Sequence, residues 1–463
     1  MKNNQNLVSI PRGAMILGIS RQHLLRLIKS QRVKGKKIGK NFYIPESEIA
    51  FLKEKNKEDR LKKQIERNFS DQVFFLQSLI QTKSANPFTP EKSDPQAPIE
   101  LEVAKLIENK LQEFGLKPKR IALFPAERPN IVAKIKGQSG HRSLIFNGHM
   151  DTIMPASDYT FNPYSGLVKN GKIFGVGSAD MKASLACFIF MAKALKDLKI
   201  KLRGDLILTF VIDEEPGASS EFGTNYLLNQ GLKGSAAIVA EPRTDKIAIG
   251  CRGGYRFKIT TFGQATHTGM EDWEKKRRGH NAVLDMAEII SALKDLSLPL
   301  ILSPNFPGVK SVFTFPTIIN GGTAINIVPE RCEAYGDVRL LPKNTPRQIK
   351  NLILKKLKPL RKKINFKLED IVIVPGVEIK ANERIVRVLL KNAQNVLGKT
   401  PEIRGARPWD DSWMFIRRGI PTICGFGPDG DGIHGKDEYA ELESIKKVTE
   451  IFTRTVIDYL GKK

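Results

Sequence analysis

The sequence predicts an α/β fold, a sheet with helices on its faces, preceded by a small basic module of different character. Two observations carry this. From residue 69 to the end, helical stretches such as DQVFFLQSLIQ and LEVAKLIENKLQEFGL alternate with the strand-like runs NIVAKI, SLIFNGH, DLILTFVID and AAIVAE. Before that point the chain is short-period, basic and turn-rich, with 17 Lys and Arg against 6 Asp and Glu over residues 1–67.

Length and composition set the frame. The 463 residues correspond to roughly three domains of about 150 residues each. A hydrophobic content of 41% excludes a disordered or low-complexity chain. The four cysteines, Cys187, Cys251, Cys332 and Cys424, are scattered without a C-x-x-C pair, which argues against a disulfide scaffold and suits a reducing compartment. The longest apolar runs are strand-sized, far from the ~20 residues of a membrane helix, and the first residues carry no secretory pattern. The expectation is a soluble cytoplasmic protein with no membrane contact. Its net charge of +26 hints at a polyanion, most of all in the N-terminal segment.

Residues 7–53 read as a separate module. Ser9 caps a first helix with Pro11 in its opening turn. Gly18 breaks it, and Ser20 caps a second helix, RQHLLRLIKS, with Leu24, Leu27 and Ile28 on one face. A basic hairpin, VKGKKIGKNFYIP, follows, and Pro45-Glu46-Ser47-Glu48 opens a short closing helix. This pattern resembles the winged helix-turn-helix domains of excisionase-like and MerR-type DNA-binding proteins. The resemblance implies DNA as a partner, with Arg21, Gln22 and His23 facing base edges and Lys36 and Lys37, beside Lys34 and Lys40, on phosphates. Residues 54–68 read as a charged helical linker.

The chemistry sits where apolar runs end. His149 and Asp151 follow SLIFNG; Asp180 follows the glycine-rich FGVGSA; Asp213, Glu214 and Glu215 follow LILTFVI; Glu241 follows AAIVA; His434 lies in GDGIHGKDE. Strand ends are where open α/β sheets place their sites. So many acids in one domain are costly to bury without a cation. Nitrogen and oxygen donors without thiolate suit Zn2+, with Co2+ or Mn2+ as alternatives, and two histidines with three carboxylates suffice for two divalent ions sharing one carboxylate.

The segments G-H-M-D, G-V-G-S-A-D-M-K and D-E-E-P-G occur here in that order. Through them residues 69–463 resemble the zinc metallopeptidase and amidohydrolase family that includes acetylornithine deacetylase, succinyl-diaminopimelate desuccinylase, carboxypeptidase G and bacterial di- and tripeptidases. The resemblance implies a zinc-exopeptidase-like catalytic domain over residues 69–251 and 366–463. It also implies an α+β lid and dimerisation domain inserted at 252–365. By the same token His149, Asp180, Glu215, Glu241 and His434 would be metal ligands, with Asp180 bridging. Asp151 would orient His149. Glu214 would act as general base, taking a proton from the attacking water and handing it to the leaving amine. His267 would reach a partner subunit's site and stabilise the oxyanion, and Asn326 and Arg339 would hold a substrate carboxylate. His141 and His280 are read as surface or loop residues.

The implied activity is hydrolysis of the amide bond of an N-acyl amino acid or small peptide by a homodimer. An alternative of another class is a DNA-binding regulator whose hydrolase-like domain senses an amino-acid metabolite. One loop departs from the family: G-A-R-P-W-D-D-S-W stands at 405–413 where paired glycines and a threonine are usual, making this wall bulkier and more cationic.

Overall fold

The computed structural model describes residues 6–88, 94, 96–140, 142–215 and 221–462; His141 lies outside them. The chain divides into two compact units, Met1–Phe69 and Ser70–Lys463.

In the first unit, strand Asn41–Pro45 lies between Leu7–Ser9 and Lys36–Ile38, antiparallel to both. Helix Ile10–Leu17 carries Pro11 in its first turn and ends on Gly18 at φ 66°. Ser9 occupies the N-cap position, yet its side chain makes no capping bond, contrary to expectation. Helix Arg21–Lys29 is capped as expected, the Ser20 hydroxyl accepting from the His23 amide at 3.1 Å. Val8, Ile10, Ala14, Leu24, Ile28, Val33, Ile44 and Ile49 make a core of their own. The closing helix, the linker at 54–68 and the expected helix at Asp71–Gln81 form one element, Glu46–Gln81, of 36 residues. No glycine or proline interrupts that stretch, so nothing in it terminates a helix.

The second unit is built on a six-stranded sheet. Its order is Thr422–Ile423, Ala236–Val239, Ser143–His149, Asp205–Val211, Asn130–Ile135 and Lys119–Ile121. The three strands from Ala236–Val239 to Asp205–Val211 are adjacent and parallel, so their C-terminal ends open on one edge. Helices Ala183–Asp197 and Leu442–Leu460 cover one face, where the Phe146 ring meets those of Phe188 and Phe452 at 5.3 and 5.0 Å. On the other face Ile145, Ile207, Ala237 and Val239 pack with Leu228, Met414 and Phe415. These strands are apolar nearly throughout because both faces are covered.

A second, four-stranded antiparallel sheet runs in the order Val312–Gly321, Arg331–Leu340, Gly253–Phe262 and Phe366–Val374. Helices Ala282–Leu293 and Pro346–Leu357 bury Met286, Ile289, Ile349 and Ile353 against Phe257, Ile259, Ala334 and Val338 of this sheet. The insertion therefore reaches past the expected boundary at 365. Strand Phe366–Val374, assigned from sequence to the catalytic part, pairs with Gly253–Phe262 from Thr261↔Phe366 to Gly254↔Val374. The chain enters and leaves the insertion side by side, since Gly250↔Glu378 and Cys251↔Val377 are also paired.

The core of the first unit yields a direct expectation. Leu24 is fully buried there. Leu24→Ala in the full chain will destabilise that unit by about 2–5 kcal/mol, read as lost amide-exchange protection over residues 7–49.

Candidate metal centre

Three neighbouring strands deliver side chains to one edge of the sheet. His149 is the last residue of Ser143–His149, with Asp151 two positions on; Glu214 and Glu215 follow Asp205–Val211; Glu241 follows Ala236–Val239. Asp180 comes from the turn Ser178–Lys182, and His434 from a loop in which it adopts φ 56°. The turn is entered through Gly177 at φ 78°, where a Cβ would meet Thr152 Cγ2 at 2.3 Å, so only glycine fits.

The geometry centres on Asp180. Its Oδ1 lies 3.1 Å from His149 Nε2, which is also 3.7 Å from Glu241 Oε1. Its Oδ2 lies 3.4 Å from His434 Nε2, which is 3.1 Å from Glu215 Oε2. Two three-residue groups, His149–Asp180–Glu241 and Asp180–Glu215–His434, thus share one carboxylate, each with ligand atoms within 4.8 Å of one another. The Oε1 of Glu215 is buried and has no hydrogen-bond partner among the described residues. An orphaned carboxylate oxygen beside three further acids fits a cation site.

The charges bear on one another. Burial pushes the Glu214 and Glu241 carboxyls well above their ordinary range, and neighbouring acids add to it while the charged His149 opposes. Glu215 is raised by burial against the pull of His434. Burial also disfavours charge on His149, but its bond to Asp180 and the charges of Glu214 and Glu241 raise it overall. His434 is pushed up to about 11, first by its bond to Asp180. Asp180 is buried, yet its bonds to the two histidines hold its carboxyl far below the usual range. These shifts share one cause, negative charge clustered in a buried site.

Behind the ligands lies a scaffold that the sequence did not disclose. The carboxylate of Asp151 stands 3.7 Å from His149 Nδ1, whereas its backbone carbonyl lies at 2.9 Å. The carboxylate itself accepts from the amides of Glu214 at 3.3 Å and Glu215 at 3.1 Å and from the Asn86 side chain at 3.0 Å. Asp151 therefore steadies the acidic turn as well as the histidine. Glu438 accepts from the amides of Gly177, Ala179 and Asp180 at 2.9, 2.8 and 3.0 Å, fixing the turn that presents Asp180. Arg128 and Glu100, both fully buried, pair through two bonds of 2.7 Å. This pair backs Asp213, a non-glycine residue at φ 67°: Arg128 reaches its Oδ1 at 3.4 Å and Glu100 accepts from its amide at 3.3 Å.

The remaining expected residues lie elsewhere. His267 and Asn326 meet in the inserted unit, Nε2 to Nδ2 at 3.0 Å, and no described contact ties them to the ligand cluster. Arg339 donates from Nε to Asp337 at 2.7 Å and stacks on Trp409 at 4.3 Å. His280 pairs with Asp285 at 2.7 Å. Arg21, Gln22, His23, Lys36 and Lys37 are exposed in the first unit.

One carboxylate shared between two histidine–carboxylate groups, at the edge of a doubly covered sheet, fits the class of metal-dependent hydrolases. The chain belongs to peptidase family M20/M25/M40, whose pattern its residues 145–458 match. It is 28% identical over 381 residues to N-formyl-4-amino-5-aminomethyl-2-methylpyrimidine deformylase of Bacillus subtilis, covering 76% of this chain and 88% of that protein. It is 26% identical over 378 residues to succinyl-diaminopimelate desuccinylase of Pelagibacter ubique, covering 78% and 94%. In fold it is similar to an M20 family metallo-carboxypeptidase of Sulfolobus solfataricus, with a TM-score of 0.67 at 17% identity over 83% of this chain and 98% of that one.

The scaffold can be tested apart from the chemistry. Arg128→Met strands a buried Glu100, and the protein will lose about 3–5 kcal/mol of stability, measured by urea unfolding against wild type.

Proposed function

We propose that this chain is a dinuclear, zinc-dependent hydrolase of N-acyl amino acids or small peptides, acting as a homodimer. The observation that carries the reading is Asp180, whose two oxygens face two separate histidine–carboxylate groups. His149, Asp180 and Glu241 would hold one ion, and Asp180, Glu215 and His434 the other. Nitrogen and oxygen donors without thiolate suit Zn2+, with Co2+ or Mn2+ as substitutes. Bound ions supply Lewis-acid polarisation of the amide carbonyl and acidify water.

The chain's own residues then have separate tasks. Glu214 stands beside the ligands without belonging to either group, and a carboxylate in that position suits a group that accepts a proton from water and returns it to the departing amine. Asp151 fixes the His149 ring through its carbonyl and the Glu214–Glu215 turn through its carboxylate. Asn326 and Arg339 bind a substrate carboxylate, and the half-buried Arg339 is pre-aimed by Asp337 and Trp409. His267, buttressed by Asn326, donates to the oxyanion of the partner's site. Pairing of two copies is supported by the edge strand Val312–Gly321, whose Ile318 and Ile319 are half exposed, with Leu284 and Ile325 more so. Among the described residues no helix is long and apolar enough to cross a membrane, and the four buried free cysteines suit the cytoplasm.

We further propose DNA as a partner of the first unit. Arg21, Gln22 and His23 are exposed in the opening turn of a capped helix, and Lys36 and Lys37 are exposed in the hairpin. If so, affinity for duplex DNA falls steeply with salt, and removing Lys36 or Lys37 lowers the log–log slope by about 1 each. Binding unchanged between low and moderate salt removes this partner.

The activity test is a panel of N-formyl, N-acetyl and N-succinyl amino acids and dipeptides, with and without chelator. One class will be turned over, chelation will abolish it, and metal analysis will give two ions per chain. Glu214→Gln will lower kcat by about 10²–10⁴-fold with both ions retained; a wild-type rate in that variant sinks the mechanism. Light scattering will report a dimer, and Ile319→Lys will return it to monomers.

A further inference from the structure

We propose that Arg252 and Arg407, beside Arg339, form a second anion subsite, so that the substrate carries a carboxylate in addition to the one that Arg339 holds. This rests on the amide-hydrolase reading and narrows its substrate to diacidic N-acyl amino acids. The subsite lies where the loop at 405–413 meets the inserted sheet. Arg252 donates from Nε to the Arg407 carbonyl at 2.7 Å, which brings the two residues together at the start of the insertion. Arg256 and Arg339 lie over the Trp409 ring at 5.0 and 4.3 Å. Gly254 leaves room for that ring, since a Cβ there would meet it at 2.2 Å.

Two guanidinium groups thus lie over one indole, and Arg252 and Arg407 meet through the backbone of the same loop, two residues before it. Among the described residues only one carboxylate, Asp337, serves them, and it is already shared between Arg256 at 3.3 Å and Arg339 at 2.7 Å. Arg252 and Arg407 have no acidic partner within ion-pair distance among the described residues. The cations are close enough to oppose one another: burial, then the charges of Arg339 and Arg407, draw Arg252 below the ordinary arginine value. Clustered cations sharing one acid gain most when a ligand brings negative charge.

The cluster also lies beside the chemistry. Two residues after Trp409, Asp411 accepts from the Thr224 hydroxyl, which itself accepts from the Asn147 side chain at 2.9 Å, two positions before His149. Consecutive Cα atoms are only 3.8 Å apart. The proposal thus places the amide of a diacid at the ligand cluster and its second carboxylate at the arginines.

The experiment uses the metal-loaded full chain and two matched substrate pairs. One is an N-acyl-glutamate with its N-acyl-glutamine, carrying the acyl group preferred in the panel. The other is an N-succinyl amino acid with its succinamoyl analogue. The diacid of one pair will be favoured in kcat/KM by about tenfold to hundredfold, as a charge-assisted bond allows. Arg252→Gln and Arg407→Gln will bring that ratio close to 1, Arg407→Lys will restore part of it, and Arg361→Gln, outside the cluster, will leave it intact. A wild-type ratio near 1 in both pairs, or a ratio that survives both glutamine variants, overturns the proposal. If no amide is cleaved, equilibrium dialysis separates the two readings. Glutarate bound in preference to glutaramate, and lost in both glutamine variants, upholds the subsite though hydrolysis has failed; equal binding of the two overturns it.

Discussion

Mutual repulsion among buried carboxylates is the constraint around which the catalytic unit is organised. Asp180, Glu214, Glu215 and Glu241 converge on one edge of the sheet, with Asp151 and Glu438 just behind. Bringing unit charges to such distances in a poorly hydrated interior costs several kcal/mol per pair. Two histidines cannot balance that many acids, which is why the cluster makes chemical sense only with cations in it. The same pressure accounts for the raised carboxyls of Glu214 and Glu241 and for the strongly basic His434.

The surrounding fold answers that pressure in two ways. Backbone amides are turned towards the two acids outside the ligand groups: three towards Glu438 and two towards Asp151. Oriented amides stabilise negative charge without introducing a mobile group. Further back, Arg128 and Glu100 hold Asp213 in a left-handed conformation that the chain would not choose alone. Strain beside Glu214 is tolerated because its neighbours on both sides are fixed.

Much of this was legible in sequence, for a physical reason. Metal-type donors terminate apolar strands, so His149, Glu214, Glu215 and Glu241 stand out as polar residues directly after runs that must be buried. The supporting residues lack such a signature. Arg128 and Glu100 are 28 positions apart and meet only in the folded chain, and neither lies in a periodic pattern. Asn86 and Glu438 read as ordinary loop residues until their partners are known. That Asp151 reaches the histidine through its carbonyl is a matter of backbone direction, which no residue type announces. The insertion boundary failed for a related reason. Phe366–Val374 is plainly strand-like, but which of two sheets it joins is decided by pairing with Gly253–Phe262. Likewise the long Glu46–Gln81 helix was divided by composition, though composition contains no residue that would stop it.

The paired entry and exit of the insertion has a meaning beyond packing. Cys251 and Val377 face each other across two adjacent strands, so everything between them hangs from a single doorway in the core. Such an arrangement is modular in an evolutionary sense. An inserted unit can be lost, exchanged or elaborated by rewriting the chain between two neighbouring residues, while the ligand-bearing edge keeps its register. The loop at 405–413 adjoins that doorway, Ala406 pairing with Cys251 on the other side of the same strand, so it is where the ligand-bearing unit meets whichever insertion it carries.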